Sequence, residues 1–250
     1  MSAKREALFS SKEELKKIKS ILTSLLRLPL TDESIPGEIM ERVFSHVRGA
    51  SVLKKYDFVD VVDRDRRIGW QVKSTLSSTP VTWIRCKIPD KENLIIESQR
   101  SEEGMARLGR AILGYCNDHI LQSGFEKYDL EHIGYIRLIV TPGRGIRYFE
   151  RHLCSAERPV LFNPDDYVWR WSKQKETKGK EQLPALHGYR MIGGKEVKYW
   201  AWHGRGENQL HFAGESAWWP ATDGLHQMSF EFPASGKLDF DGLIRVLGTG

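Results

Sequence analysis

Cysteine is scarce in this chain, and no apolar run is long. The three cysteines, Cys86, Cys116 and Cys154, are odd in number and widely spaced over 250 residues. That spacing suits neither a disulfide framework nor a zinc knuckle, so buried, reduced thiols are predicted. Apolar stretches such as residues 133–140 break at charge or glycine well short of the roughly 20 residues that cross a bilayer, so no membrane partner is expected. The polar first residues lack the apolar segment of about 7–15 residues that marks a secretory leader, and the expected location is cytoplasmic. None of the eight histidines stands in a His-x₃-His spacing. A Gly-x-Ser-x-Gly elbow and a phosphate-cradling Gly-x₄-Gly-Lys loop are also missing, which argues against serine-hydrolase chemistry and a nucleotide cofactor. There is no internal repeat and no low-complexity tract.

What is present is the composition of a folded protein, 40% hydrophobic and 28% charged, long enough for one large domain or a core with an appended lobe. The net charge of +5 and a pI near 9.0 permit a polyanionic partner. Basic residues gather at 54–55, 64–67, 144–147 and 173–180.

Residues 11–28 carry apolar side chains at helical spacing behind a Ser11/Glu14 capping box, and Pro29 ends the pattern. A second helix is predicted with Ser34 as N-cap, Pro36 in the first turn, the stripe Ile39, Val43, Phe44 and Val47, and a stop at Gly49. Three β-like runs follow at 56–62, 68–74 and 81–88, the first two reading as a hairpin around the charged turn 63–67. A helix is expected from Ser101 to about Gly124, and a strand buried on both faces at 133–140. The order helix, three strands, helix, strand predicts a mixed α/β fold with a central sheet flanked by helices. Six of the eight tryptophans fall after residue 150, among glycines and short β-like stretches. The expected organisation is a helical segment over 1–30, a core over 31–150 and a β-rich lobe over 151–250. Within that lobe Trp200 and Trp202 share a strand face and are expected in the core.

The hairpin carries the chemistry. Side chains alternate across a strand, so Gln71 and Lys73 share a face with Val72 directed away from them. If the hairpin turns about Asp65, Asp57 lies opposite Lys73, whereas a one-residue shift sets Asp60 opposite Gln71. Either way a carboxylate, an amide oxygen and an ammonium converge. Together with the Val72 backbone carbonyl, the oxygens suit Mg²⁺, and Lys73 is placed to orient a water and stabilise a pentacovalent phosphorus. Such a set suits phosphodiester hydrolysis. Arg144, after the buried strand, is a candidate phosphate clamp. Arg205, Asn208 and Gln209 are of the types that contact guanine and adenine edges.

In Tyr56-Asp57 and Gln71-Val72-Lys73 the sequence resembles the PD-(D/E)xK nuclease superfamily, with tyrosine in place of the usual proline and glutamine in place of the usual acid. The resemblance extends to the αβββαβ order over roughly residues 36–140, and to a glutamate on the first helix, where Glu38 and Glu41 stand. It implies catalytic Asp57, Gln71 and Lys73, and a Mg²⁺ held by Asp57, Gln71 and the Val72 carbonyl, with Glu41 or Asp60 as further ligands. It also implies double-stranded DNA as substrate. The size of the tail favours a type II restriction endonuclease, expected as a homodimer on DNA, with 151–250 reading the sequence. The alternatives are a repair or resolvase-type nuclease and a DNA-binding module of the same fold without catalysis.

Overall fold

The computed structural model describes residues 7–29, 34–53, 57–77, 79–143, 145–177, 180–214, 226–230 and 237–248. These residues form a mixed α/β protein with five α-helices, a six-stranded mixed sheet, a five-stranded antiparallel sheet and a two-stranded ribbon. Among them no helix is long and apolar enough to cross a membrane. The chain divides into two compact units, one of residues 1–79, 123–159 and 221–250, the other of residues 80–122 and 160–220.

In the first unit, α1 (Lys12–Arg27) opens on the predicted capping box: Ser11 Oγ accepts the Glu14 N–H and the Glu14 carboxylate accepts the Ser11 N–H. The second helix, α2 (Gly37–Arg48), begins after Pro36 rather than at Ser34, because the proline supplies the entry geometry and no side chain caps the end. Gly49, at φ 64°, closes it as expected. The sheet runs β1 (Ser51–Val52), β2 (Val61–Asp63), β3 (Ile68–Leu76), β5 (His132–Thr141), β6 (Gly145–Ser155) and β13 (His226–Phe230) in spatial order. Strands β3 and β5 are parallel, and every other neighbouring pair is antiparallel. Ile68, Trp70 and Val72 of β3 and Ile136, Leu138 and Val140 of β5 share one core with the apolar stripes of α1 and α2.

Trp70 centres that core. The Phe44 ring meets it edge-on at 5.2 Å, its Nε1 donates to Leu8 O at 2.9 Å, and Gly134 leaves room for it where a Cβ would lie 2.5 Å from Trp70 Cδ1. Buried Arg48 ties down the same N-terminal stretch, donating to Ala7 O, to Phe9 O at 2.8 Å and to Glu14 Oε2 at 2.9 Å. Buried Glu150 accepts from Ser10 N and from Tyr148 Oη, both at 2.6 Å.

The second unit contains β4 (Val81–Arg85), α3 (Lys91–Ser98), α4 (Glu102–His119), β7 (Val168–Trp171), β8 (Lys175–Thr177), β9 (Lys180–Gln182), β10 (Leu186–Ile192), β11 (Lys195–His203) and β12 (Gln209–Phe212). Its sheet order is β4-β12-β11-β10-β7. Trp83, Trp200, Phe162 and Phe212 interlock with ring centroids 4.8–6.4 Å apart, and Trp200 and Trp202 are core residues as expected. Gly109 sits mid-helix in α4, where glycine costs about 1 kcal/mol, because the Trp169 indole lies where its Cβ would be. The three cysteines are buried and form no disulfide.

Three expectations change. The third predicted strand is not in the central sheet: β4 pairs with β12, since its buried Val81 and Trp83 belong to the tryptophan-rich core. The predicted crossover helix, α4, groups with the second unit, so the two units cut across the boundary expected at residue 150. The predicted first strand is shorter, starting only at Val61. The remaining helix, α5 (Phe240–Gly248), lies in the first unit. We expect Arg48→Ala to lower the unfolding free energy by about 3 kcal/mol, because it strands the part-buried Ala7 and Phe9 carbonyls and half-buried Glu14. Lys16→Ala, which removes only the exposed pair with Glu13, should have no measurable effect in the same urea titration.

Candidate active site

The geometry of the site begins at the hairpin turn. Residues 64–67 connect β2 to β3 with Asp63 Oδ1 accepting the Arg66 N–H at 3.0 Å and Arg67 in the left-handed region at φ 57°. That turn fixes the ladder as Val61↔Trp70, Val62↔Gly69 and Asp63↔Ile68. One step further, the same register sets Asp60, not Asp57, across from Gln71. There the strands part. Asp60 N donates to Trp70 O at 2.8 Å, but Asp60 O is taken by Leu53 N at 2.9 Å. The Val72 N–H instead goes to the Asp60 side chain, reaching Oδ2 at 2.7 Å. A residue's N–H and C=O point to the same side of a strand, so the Val72 carbonyl lies on this opened edge too.

Lys73 Nζ stands 3.6 Å from the same Oδ2, with the Asp60 and Lys73 side chains 22% and 18% exposed, so both are reachable from solvent. Ser74 Oγ donates to Ile35 O just before α2, which pins that helix beside β3. From α2, Glu41 enters the same electrostatic neighbourhood. Burial and the Asp60 carboxylate push its pKa up to about 7, against the opposing pull of Lys73. Asp60 is raised as well, by burial, with Lys73 and the Val72 N–H working against the shift. Two half-buried carboxylates thus crowd the Lys73 ammonium, with Glu38 adding to and Arg42 easing the charge at Glu41, a crowding of the kind a divalent cation would relieve. Gln71 is fully buried on the face it shares with Lys73.

Among the described residues no three His, Cys, Asp or Glu side chains gather as a ready metal cage. A cation at this edge would therefore draw on Asp60 and Glu41, with the Val72 carbonyl, the Gln71 amide, water or a phosphate completing its shell. Hard cations such as Mg²⁺ bind in this open way, through one or two carboxylates plus substrate oxygens.

The other expected residues lie elsewhere. Asp57 is not part of the constellation: its carboxylate is gripped by Lys127 Nζ at 2.6 and 2.8 Å and by Tyr128 Oη. The register excludes it, because the four-residue turn moves the pairing by one. Glu38 is exposed, one helical turn before half-buried Glu41, and its charge adds to the upward push on the Glu41 pKa. Tyr56 and Arg144 lie outside the described residues. In the second unit, Asn208 Oδ1 accepts from Lys91 Nζ at 3.3 Å. Both ends of the Gln209 amide are engaged, with Glu207 at 2.6 Å and His211 at 2.9 Å. Arg205 is exposed and lies over the Trp171 ring at 5.5 Å. Sequence reasoning missed Arg137, which is 1% exposed, pairs with Lys73 across the parallel β3–β5 ladder and donates to Thr79 O. Its signal was a lone cation inside the apolar run 133–140, at the position in register with Lys73.

Glu41 keeps its proton up to about pH 7 in the folded chain, against its ordinary 4.5. The folded state binds more protons between these values, so this residue's contribution to stability is present at low pH and lost as pH rises through about 7. We expect ¹³C carboxyl titration to place Glu41 near pH 7 and Asp60→Asn to bring it down. Glu41→Gln should gain stability over the parent chain at pH 8 but not at pH 4.5, by urea unfolding. A Glu41 titrating near 4.5 in the parent chain would contradict the crowding.

No protein family, curated protein or solved structure matches this chain in sequence or fold comparisons.

Proposed function

We propose that the protein is a Mg²⁺-dependent, sequence-specific double-stranded DNA endonuclease of the type II restriction kind, working through a PD-(D/E)xK-like site. The observation that carries this reading is the pair of carboxylates, Glu41 and Asp60, crowded beside Lys73 where β2 and β3 separate. Relative to the sequence expectation, the acid moves from Asp57 to Asp60 and Glu41 becomes a main ligand. This second acid makes up for the neutral Gln71 in a position where an anion is usual.

Asp60, Glu41 and the Val72 carbonyl would hold the ion, with Gln71 beside them. When bound, Mg²⁺ supplies the Lewis acidity that offsets charge on a phosphodiester and makes water a nucleophile near neutral pH. The chain's own groups do the rest. The Val72 N–H fixes the Asp60 carboxylate through Oδ2. Lys73 holds an attacking water by hydrogen bonding and donates to a non-bridging oxygen as negative charge grows there. Glu41, once ionised, completes the anionic pair.

The net charge of +5 suits a phosphate-tracking surface. The second unit is the sequence-reading lobe in this reading, with Arg205 as its base-contacting residue, since Asn208 and Gln209 are occupied within the lobe. Cutting both strands of a palindrome with one site per chain calls for a twofold pair of chains on DNA.

The test is digestion of sequenced plasmids with Mg²⁺ or with chelator. Discrete, Mg²⁺-dependent fragments are expected, and Asp60→Asn, Glu41→Gln and Lys73→Met should each lower the cleavage rate at least about 100-fold. Asp57→Asn should stay within about threefold of the parent rate. Mg²⁺-dependent cutting without fixed ends would favour a repair or resolvase-type nuclease, and target binding without cutting a catalytically inactive module. Calorimetry adds a second readout. Mg²⁺ must displace the Glu41 proton, so its affinity should fall by up to about tenfold for each pH unit below 7.

A further inference from the structure

The second unit's sheet has two unlike faces. Leu186, Trp200, Trp202, Leu210 and Phe212 point into the core. On the opposite face Ala201 lies between His187 on one neighbouring strand and His211 on the other. A small side chain flanked by two imidazoles leaves a depression, and a cavity of about 250 Å³ occupies it. Ala185, Ala201 and Ala213 make a small-residue floor, and Pro80 and Leu183 an apolar wall. The polar lining is Ser172, Lys173, His187, Lys198, His203 and His211, with no carboxylate among the described lining residues.

Two acids of this unit are engaged by other partners: Glu196 pairs with Arg170 at 2.8 Å, and Glu207 pairs with Arg85 at 3.3 Å while accepting from Gln209. The imidazoles of His203 and His211 lie 4.8 Å apart. His211 Nε2 donates to Gln209 Oε1 at 2.9 Å, an orientation fixed because the other end of that amide donates to Glu207. Burial holds the pKa of His203 and of His211 below the ordinary imidazole range, and Lys198 pushes both the same way. An anion in the cavity would reverse that push.

We propose that this cavity binds the phosphate of a small phosphate monoester of the nucleotide class. Two ammonium groups, the His187 and His203 imidazoles and a hydroxyl offer more donors than the two oxygens of a carboxylate use, whereas a dianionic phosphate presents three oxygens; the His211 N–H is already committed to Gln209. The alanine floor and the Pro80 and Leu183 wall receive the sugar or ring. A volume of about 250 Å³, just below the roughly 300 Å³ lower end of ordinary small-ligand sites, seats one such unit. The phosphate belongs either to a free mononucleotide or to the 5′ end of a DNA strand. This proposal does not depend on the nuclease reading, since it uses none of the residues around Asp60.

The test uses the whole chain and follows histidine C–H signals by NMR during titration with thymidine 5′-monophosphate and, separately, thymidine. Saturable binding of the monophosphate is expected, with thymidine at least about 10-fold weaker. Lys198→Ala and Lys173→Ala change exposed residues, and each should weaken monophosphate binding at least about fivefold with the thermal unfolding midpoint unchanged. Equal binding of thymidine, no saturation by about 10 mM, or affinity unchanged in both variants would overturn the proposal. Competition with a short duplex then distinguishes the sources. A 5′-phosphorylated duplex that displaces the monophosphate better than its 5′-hydroxyl counterpart marks a strand end, displacement by neither marks the free nucleotide, and equal displacement by both would overturn a terminal-phosphate site.

Discussion

One hydrogen bond organises the site: Asp60 Oδ2 accepts the Val72 N–H at the point where β2 leaves β3. A strand edge with an unpaired N–H is costly when partly buried, and the usual remedy is another strand. Here a side chain takes the strand's place. The substitution brings a carboxylate to the edge, and it leaves the Val72 carbonyl facing the same opening. Lys73, two residues on, then has an anion within 3.6 Å. Had β2 continued pairing past Val61, the edge would be closed and the carboxylate would have no reason to turn inward.

Most of the first unit serves to keep that edge in place. Trp70, directly beside Gln71 in the chain, is held by Phe44, by Leu8 O and by the gap at Gly134. The same helix that carries Phe44 carries Glu41, so core packing and the position of the second carboxylate are set by one element. The helix holds Glu41 where its charge is unfavourable, with a pKa near 7. In the proposed reading, a bound cation offsets that cost.

Local signals in the sequence were legible and non-local ones were not. The capping box at Ser11 and Glu14 and the glycine stop at Gly49 depend on a few adjacent residues, and both are present as expected. The shared face of Gln71 and Lys73 follows from strand periodicity alone. The choice between Asp57 and Asp60 required the register, which the conformation of Arg67 and the Asp63–Arg66 turn decide by one residue. Strand β4 has a pattern that suits any half-buried strand, and only its tryptophan partners assign it to the second sheet. Arg137 was concealed by the apolar residues on either side of it. The discontinuous units depend on contacts between segments far apart in the chain, which no composition shift at residue 150 could reveal.

The most direct measurement is a crystal structure of the chain with Mn²⁺ as a Mg²⁺ surrogate, located by its anomalous signal. A peak about 2.2 Å from a carboxylate oxygen of both Asp60 and Glu41 is expected, close to the usual distance for such oxygen ligands. A peak at Asp57, or no peak between Glu41 and Asp60 at millimolar Mn²⁺ and pH 8, would contradict a divalent-ion site at the parting of β2 and β3.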